Sequence, residues 1–215
     1  MEHKDSKKNL IIKKAAEYFY EYGYVRSTLR DITSACGVTH PTIYKHFKGK
    51  DALAQLFLKN YFSNCNEAVS KMAENCSLSD RYIYFWLIHF SVIYHDKRFA
   101  RYFYEYLDTS PESFMTLEME NTINATRDLL SLDTFMNQLD LNLELINSCG
   151  AKLGEYCMNE KIDEFQAAIY MLRIMNTLNI NVFSMYPEDI SNFTQTHPEA
   201  VLYTRYDMVK DELGV

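Results

Sequence analysis

The chain has 215 residues, 47% of them hydrophobic and 24% charged, which is enough apolar surface for a sizeable buried core and rules out an extended disordered chain. Six Gly and four Pro leave few breakpoints, so long helices are favoured over a many-stranded sheet. The formal net charge of −7 argues against nucleic acid only if it is taken as uniform.

It is not uniform. Residues 1–50 hold ten of the 22 Lys and Arg but only five of the 29 Asp and Glu, a local excess of five positive charges. The remainder carries twelve bases against 24 acids. A basic head on an acidic body is the asymmetry expected where one end meets phosphate, although a solvated basic helix has the same charge. Five cysteines (Cys36, Cys65, Cys76, Cys149, Cys157) form an odd set with no Cys-x-x-Cys pair, which points to thiols rather than a disulfide framework. The first residues lack the apolar stretch of a secretory signal. The most apolar window, Tyr82 to Tyr94, contains His89 and is about 13 residues long, too short for a bilayer. A cytoplasmic protein with no membrane partner is the expectation.

In chain order, Leu10, Ile11, Ala15, Tyr18, Phe19 and Tyr22 recur at three- and four-residue spacing and predict a helix over 7–22 that ends at Gly23. Thr28-x-x-Asp31 reads as a capping box opening a second helix, which stops within two turns at Gly37. Thr39 caps a third, short helix with Pro41 in its first turn. After Gly49 a fourth starts near Lys50, with Leu53, Leu56, Phe57 and Tyr61 as its apolar stripe. Helical segments follow over Asp80–Tyr94, Lys97–Leu107, Pro111–Leu130, Leu132–Met158 and Asp163–Met185. Pro187 and Pro198 separate two weaker ones. No alternating run is long enough for a sheet.

Two short helices meeting at a glycine form a helix-turn-helix pattern, with Leu29, Ile32, Cys36, Val38, Ile43 and Phe47 as its inward contacts. The second helix of the pair then presents His40, Pro41, Thr42, Tyr44, Lys45 and His46 outward, a basic face with hydrogen-bonding tips suited to a major groove. Tyr44 could alternatively be a core aromatic, but Ile43 and Phe47 already fill the inward spacing. A metal site from Cys36, His40 and His46 would span the turn and lacks a fourth ligand.

The run Gly37-Val38-Thr39-His40-Pro41-Thr42-Ile43-Tyr44-Lys45-His46-Phe47-Lys48-Gly49-Lys50, with Ala16, Phe19, Gly23, Tyr24, Thr28, Asp31 and Ile32 upstream, resembles the DNA-binding domain of the tetracycline-repressor (TetR) family. The motif resemblance covers residues 10–57. Thr33 departs from the family's usual small alanine and is expected to splay the helix crossing slightly. The resemblance implies an all-α fold: a three-helix DNA-binding domain over 1–49 and a larger ligand-sensing and dimerising domain over 50–215.

It also implies roles. Thr28 would meet a phosphate at a helix N-terminus, and His40 and Pro41 would meet base edges. Thr42, Tyr44 and His46 would contact sugar and phosphate, Lys50 the backbone, and Lys45 either base or phosphate. With Thr39, these are the candidate DNA-binding residues.

The resemblance further implies a body that binds a small molecule and pairs through its last two long helices. Residues 82–107 are rich in Tyr, Phe and Trp, and aromatic residues line both pockets and cores, so most of them are expected in the core. Trp86, His89, Phe90, Phe103 and Arg127 are the candidate ligand-binding residues, with Asn121 and Asn124 as further polar groups. Leu139, Leu143, Ile146, Leu153 and Tyr156, then Ile169, Leu172, Met175 and Leu178, give two helices apolar faces. Gly150 and Gly154 would allow close approach at a crossing. These faces fit either a dimer surface or an internal core.

The expected function is a transcriptional regulator: a homodimeric repressor on a palindromic operator, released by a small, largely apolar effector. An activator, or an effector-independent DNA binder of the same fold, is the alternative. No phosphate loop, His-Glu-x-x-His or Gly-x-Ser-x-Gly points to an enzyme, and no cofactor or metal is expected.

Overall fold

The computed structural model describes residues 2–72, 78–112 and 139–177, and every regular element among them is a helix. They are α1 (Glu2–Arg26), α2 (Leu29–Cys36), α3 (His40–Tyr44), α4 (Lys50–Met72), α5 (Leu78–His95), α6 (Lys97–Thr109), α7 (Leu139–Met158) and α8 (Glu164–Thr177). The helix expected over Pro111–Leu130 lies almost wholly outside the described residues, as do Asn121, Asn124, Arg127, Leu178 and the segments around Pro187 and Pro198.

The chain divides into two compact units. The first combines residues 1–61 with 98–117; the second combines 62–97 with 118–215.

In the first unit the core is aromatic. Phe19 is fully buried, with ring centroids 5.4 Å from Tyr102, 6.0 Å from Tyr24 and 6.3 Å from Phe57. Tyr24 meets Tyr106 edge-on at 4.9 Å and Phe57 meets Tyr102 at 4.8 Å, arrangements favoured by the ring quadrupoles. Tyr102 and Tyr106 keep their hydroxyls bonded, Tyr102 to the Ala54 carbonyl at 2.9 Å and Tyr106 to Asp51 at 3.0 Å. On α4, Leu53 and Tyr61 are buried as expected, but Leu56 and Phe57 are only half-buried, and Ala54 and Leu58 are buried instead. The buried arc of α4 is wider than one stripe because rings from both α1 and α6 lie on it.

In the second unit α5, α7 and α8 pack on one another. Every residue of α5 from Tyr84 to Ile93 is buried, so this stretch of the helix has no solvent face, as its near-continuous apolar sequence requires. A full capping box opens α8: Gln166 N–H donates to Asp163 Oδ1 at 2.7 Å, and Asp163 N–H donates to Gln166 Oε1 at 3.1 Å.

The close approach expected at Gly150 is internal. A Cβ there would lie 3.5 Å from the Trp86 ring and 3.7 Å from the Met171 methyl, and Gly154, Ile146 and Leu172 are buried too. These residues therefore belong to the core of the protomer, and among the described side chains the large apolar ones exposed on α7 and α8 are Leu145, Tyr156 and Tyr170. Since 3.5 Å is ordinary contact and alanine is the better helix former, Gly150→Ala is expected to stabilise the chain by up to ~1 kcal/mol. Thermal denaturation checks this. A lowered melting temperature would mean that the Trp86 ring cannot accommodate a methyl group.

Candidate nucleic-acid interface

The site is built by α2, its terminating turn and α3. Thr28 caps α2 from an extended backbone (φ −109°, ψ 152°), its hydroxyl accepting the Asp31 N–H at 3.2 Å and donating to the Asp31 carboxylate. The hydroxyl offered by the resemblance to a phosphate is thus engaged by Asp31 in the absence of DNA. At the other end Gly37 adopts the left-handed conformation (φ 62°, ψ 30°). Its N–H donates to Ser34 O at 3.1 Å, and the Val38 N–H donates to Thr33 O at 3.0 Å. This paired pattern closes the helix and turns the chain sharply. No atom crowds a Cβ at Gly37, so glycine is needed there for its dihedral angles and not for space.

Thr39 occupies the N-cap of α3 without a side-chain bond to the backbone; its hydroxyl lies 3.0 Å from that of Thr42. Pro41 sits in the first turn, where its missing N–H leaves no bond unmade. Ile43 and Phe47 point inward and are buried. His40, Pro41, Tyr44 and Lys45 are exposed, Tyr44 at 57%, while Thr42 and His46 are half-buried. Tyr44 is therefore an outward residue, and its ring lies 6.4 Å from that of His40. Thr33, the departure from the family pattern, is buried and donates its hydroxyl to Arg30 O at 2.7 Å, which satisfies the polar group within its own helix turn.

Lys50 differs from the other candidates. Its ammonium donates to the Tyr24 carbonyl at 3.0 Å and stands 3.9 Å from the centroid of the Tyr24 ring. Burial lowers its pKa, an effect opposed by the Glu105 carboxylate. In this structure Lys50 serves as a brace between α4 and the end of α1. Two exposed cations that motif reading passed over, Arg26 and Arg30, flank Thr28 at the start of α2. Their sequence distance from that cap was the available signal.

The candidates for an effector site fall into different places. Trp86, His89 and Phe90 are buried together in the second unit, with His89 stacked on Phe85 at 6.4 Å and edge-on to Trp86 at 5.8 Å and Phe90 at 5.4 Å. Burial holds the His89 imidazole well below its ordinary 6.5, at about 3, so it is neutral at pH 7. Phe103 belongs to the first unit, packed near Phe99 and Tyr104, and Arg127 lies outside the described residues.

Two short helices joined by a glycine turn, the second displaying an exposed polar face over a buried aromatic base, define a helix-turn-helix domain. Residues 11–56 match the family model described as bacterial regulatory proteins, tetR family. Over these residues the chain is similar to the tetR family of bacterial regulatory proteins.

Among curated proteins it is 32% identical over 68 residues to the HTH-type transcriptional repressor DhaR of Mycobacterium sp., covering 32% of this chain and 34% of DhaR. It is 39% identical over 49 residues to the HTH-type transcriptional regulator YerO of Bacillus subtilis, covering 23% of this chain and 17% of YerO. The chain thus spans about a third or less of the length of these relatives. In fold it is similar to a TetR-family transcriptional regulator from Syntrophomonas wolfei (TM-score 0.54, 14% identity, 85% of this chain and 99% of that one). It is also similar to SmeT, the repressor of the Stenotrophomonas maltophilia multidrug efflux pump SmeDEF (TM-score 0.51, 16% identity, 82% and 92%). At these identities the likeness is one of fold, and it supports an all-helical chain with an N-terminal helix-turn-helix.

Proposed function

We propose that this protein is a DNA-binding transcriptional regulator and not an enzyme, acting as a repressor that grips a palindromic operator as a homodimer and is released by a small, largely apolar effector. The observation that carries the reading is the outward face of α3, where His40, Pro41, Tyr44 and Lys45 are all exposed immediately after the Gly37 turn. Within the proposal, residues 1–49 meet DNA and residues 50–215 sense the effector and pair the protomers.

His40 and Pro41 read base edges; Thr28, Thr39, Thr42, Tyr44 and His46 meet the sugar-phosphate backbone; Lys45 meets either base or phosphate; Lys50 reaches the backbone by exchanging its bond to Tyr24. One five-residue helix touches too few bases for useful specificity, so two copies about 34 Å apart are needed. Leu145, Tyr156 and Tyr170 supply an exposed apolar surface for pairing. The Trp86, His89 and Phe90 cluster is the proposed effector seat. DhaR and SmeT are repressors by name, which favours repression over activation. No described helix is long and apolar enough to cross a membrane, which accords with a cytoplasmic regulator.

The test is enrichment of duplexes from a randomised pool, followed by affinity measurement across salt. Enriched duplexes are expected to carry inverted half-sites and to lose roughly a hundredfold in affinity or more between about 50 and 200 mM salt. Binding indifferent to salt, or a pool that converges on nothing, would refute the proposal.

A further inference from the structure

Helix α1 does not run unbroken to its end. At Gly23 the backbone turns to φ 79° and ψ 176°, outside helical space. In a continuous helix the Val25 N–H would donate to the Glu21 carbonyl, four residues back. Here both groups are satisfied elsewhere, and by the same helix. The Val25 N–H donates to Glu105 Oε2 at 2.8 Å, and the Glu21 carbonyl accepts from Arg101 Nη2 at 2.5 Å. Arg101 and Glu105 stand one turn apart on α6 and so share a face. One side chain supplies the donor and the other the acceptor of the backbone hydrogen bond that Gly23 abolishes.

The neighbouring groups close around the same break. Arg98 pairs with the Glu21 carboxylate at 2.6 Å, Ser27 Oγ donates to the Gly23 carbonyl at 2.6 Å, and Lys50 Nζ donates to the Tyr24 carbonyl at 3.0 Å. A Cβ on residue 23 would displace the Glu105 carboxylate from its place at the break, and glycine is required there for its positive φ. Thr28, the N-cap of α2, lies five residues beyond this break.

We propose that Arg101 and Glu105 are positioning residues for DNA recognition. By completing the interrupted ladder of α1 they fix the corner that aims α3. Neither residue touches DNA in this proposal, which rests on the reading of the helix-turn-helix as a DNA binder.

The test uses the full chain and a duplex enriched from a randomised pool by the unaltered protein. Three quantities are read: affinity, its dependence on salt, and the amide hydrogen exchange of Val25 in the DNA-free protein. Glu105→Ala and Arg101→Ala are expected to weaken binding roughly tenfold with the salt dependence unchanged, because no phosphate contact is lost. Exchange at Val25 accelerates in Glu105→Ala. Glu105→Gln keeps an acceptor and Arg101→Lys keeps a donor, so both retain affinity within about twofold.

The exchanged pair R101E/E105R decides between positioning and simple stabilisation. It keeps an ion pair along α6 but sets a carboxylate beside the Glu21 carbonyl and a guanidinium beside the Val25 N–H. Melting temperature is expected to recover in R101E/E105R while DNA affinity does not. Restored affinity in that variant, or alanine variants that bind as well as the unaltered chain, would overturn the proposal. A chain that enriches no duplex at any salt removes the DNA-binding reading and this role with it. Val25 protection lost with duplex binding unaffected would overturn the positioning role alone.

Discussion

Phe19→Ala is expected to destabilise the first unit by about 3–5 kcal/mol, the range for deleting a buried aromatic ring without collapse of the space it leaves. Phe19 has no exposed surface, and its ring touches those of Tyr24, Phe57 and Tyr102, which arrive from three helices. Tyr102 is itself tied to α4 by its bond to Ala54 O, so the surrounding rings have little freedom to move inward. A loss of this size is a large share of the 5–15 kcal/mol that stabilises an ordinary domain. Denaturant unfolding should show the midpoint falling steeply, and duplex binding should fall with it because Ile32, Ile43 and Phe47 of the reading motif belong to the same core. A loss below about 1 kcal/mol would show that the ring cluster is not what holds α1, α4 and α6 together.

The second large effect concerns acid. His89 is 4% exposed, and burial depresses its pKa from 6.5 to about 3. The unfolded chain therefore takes up a proton near 6.5 that the folded chain refuses until about 3. Between those values the unfolded state holds one more proton, so stability falls as pH falls, by about 1.4 kcal/mol per unit from this residue. Its contribution is fully present above 6.5, is lost progressively below, and levels off near 3. Lowering the pH from 7 to 5 is expected to remove about 2 kcal/mol through His89, measured as the difference between the unaltered chain and His89→Gln in urea titrations at both values. An identical pH dependence in the two proteins would refute the assignment.

The helix-turn-helix was legible in the sequence because its signals are local. Thr28 and Asp31 make their cap within four residues, Gly37 supplies the left-handed turn, and the spacing of Ile43 and Phe47 leaves Tyr44 outside. The chemistry of each signal does not depend on what lies beyond the motif. The Asp163 start of α8 was legible for the same reason, being a reciprocal bond with Gln166.

What depended on distant partners was not. Glycines four apart on α7 pointed to a close approach without naming what makes it, and at Gly150 it is the Trp86 ring of the same chain. The bond from Lys50 to the Tyr24 carbonyl, 26 residues away, has no local signal to announce it. Gly23 was read as a helix terminator, which is right for its dihedral angles but silent about Arg101 and Glu105, whose role requires knowing that α6 reaches the break. The aromatic run over 82–107 looked continuous in sequence, whereas Phe103 lies in the first unit and Trp86, His89 and Phe90 lie in the second. Periodicity marks which face of a helix is apolar but does not name the surface that covers it.

The division of the first unit into residues 1–61 and 98–117 bears on how the chain comes to be folded during synthesis. The stretch that carries the reading helix leaves the ribosome before α6, and its core lacks Phe99, Tyr102 and Tyr106 until α6 has followed. Contacts such as that between Val25 and Glu105 span 80 residues, so α1 to α4 must wait with apolar rings uncovered while α5 is made. A nascent chain halted after Tyr61 would hold the whole recognition motif and yet have no means of closing the ring cluster beneath it. The recognition helix is thus synthesised before the core that supports it, which is completed only after α6 emerges.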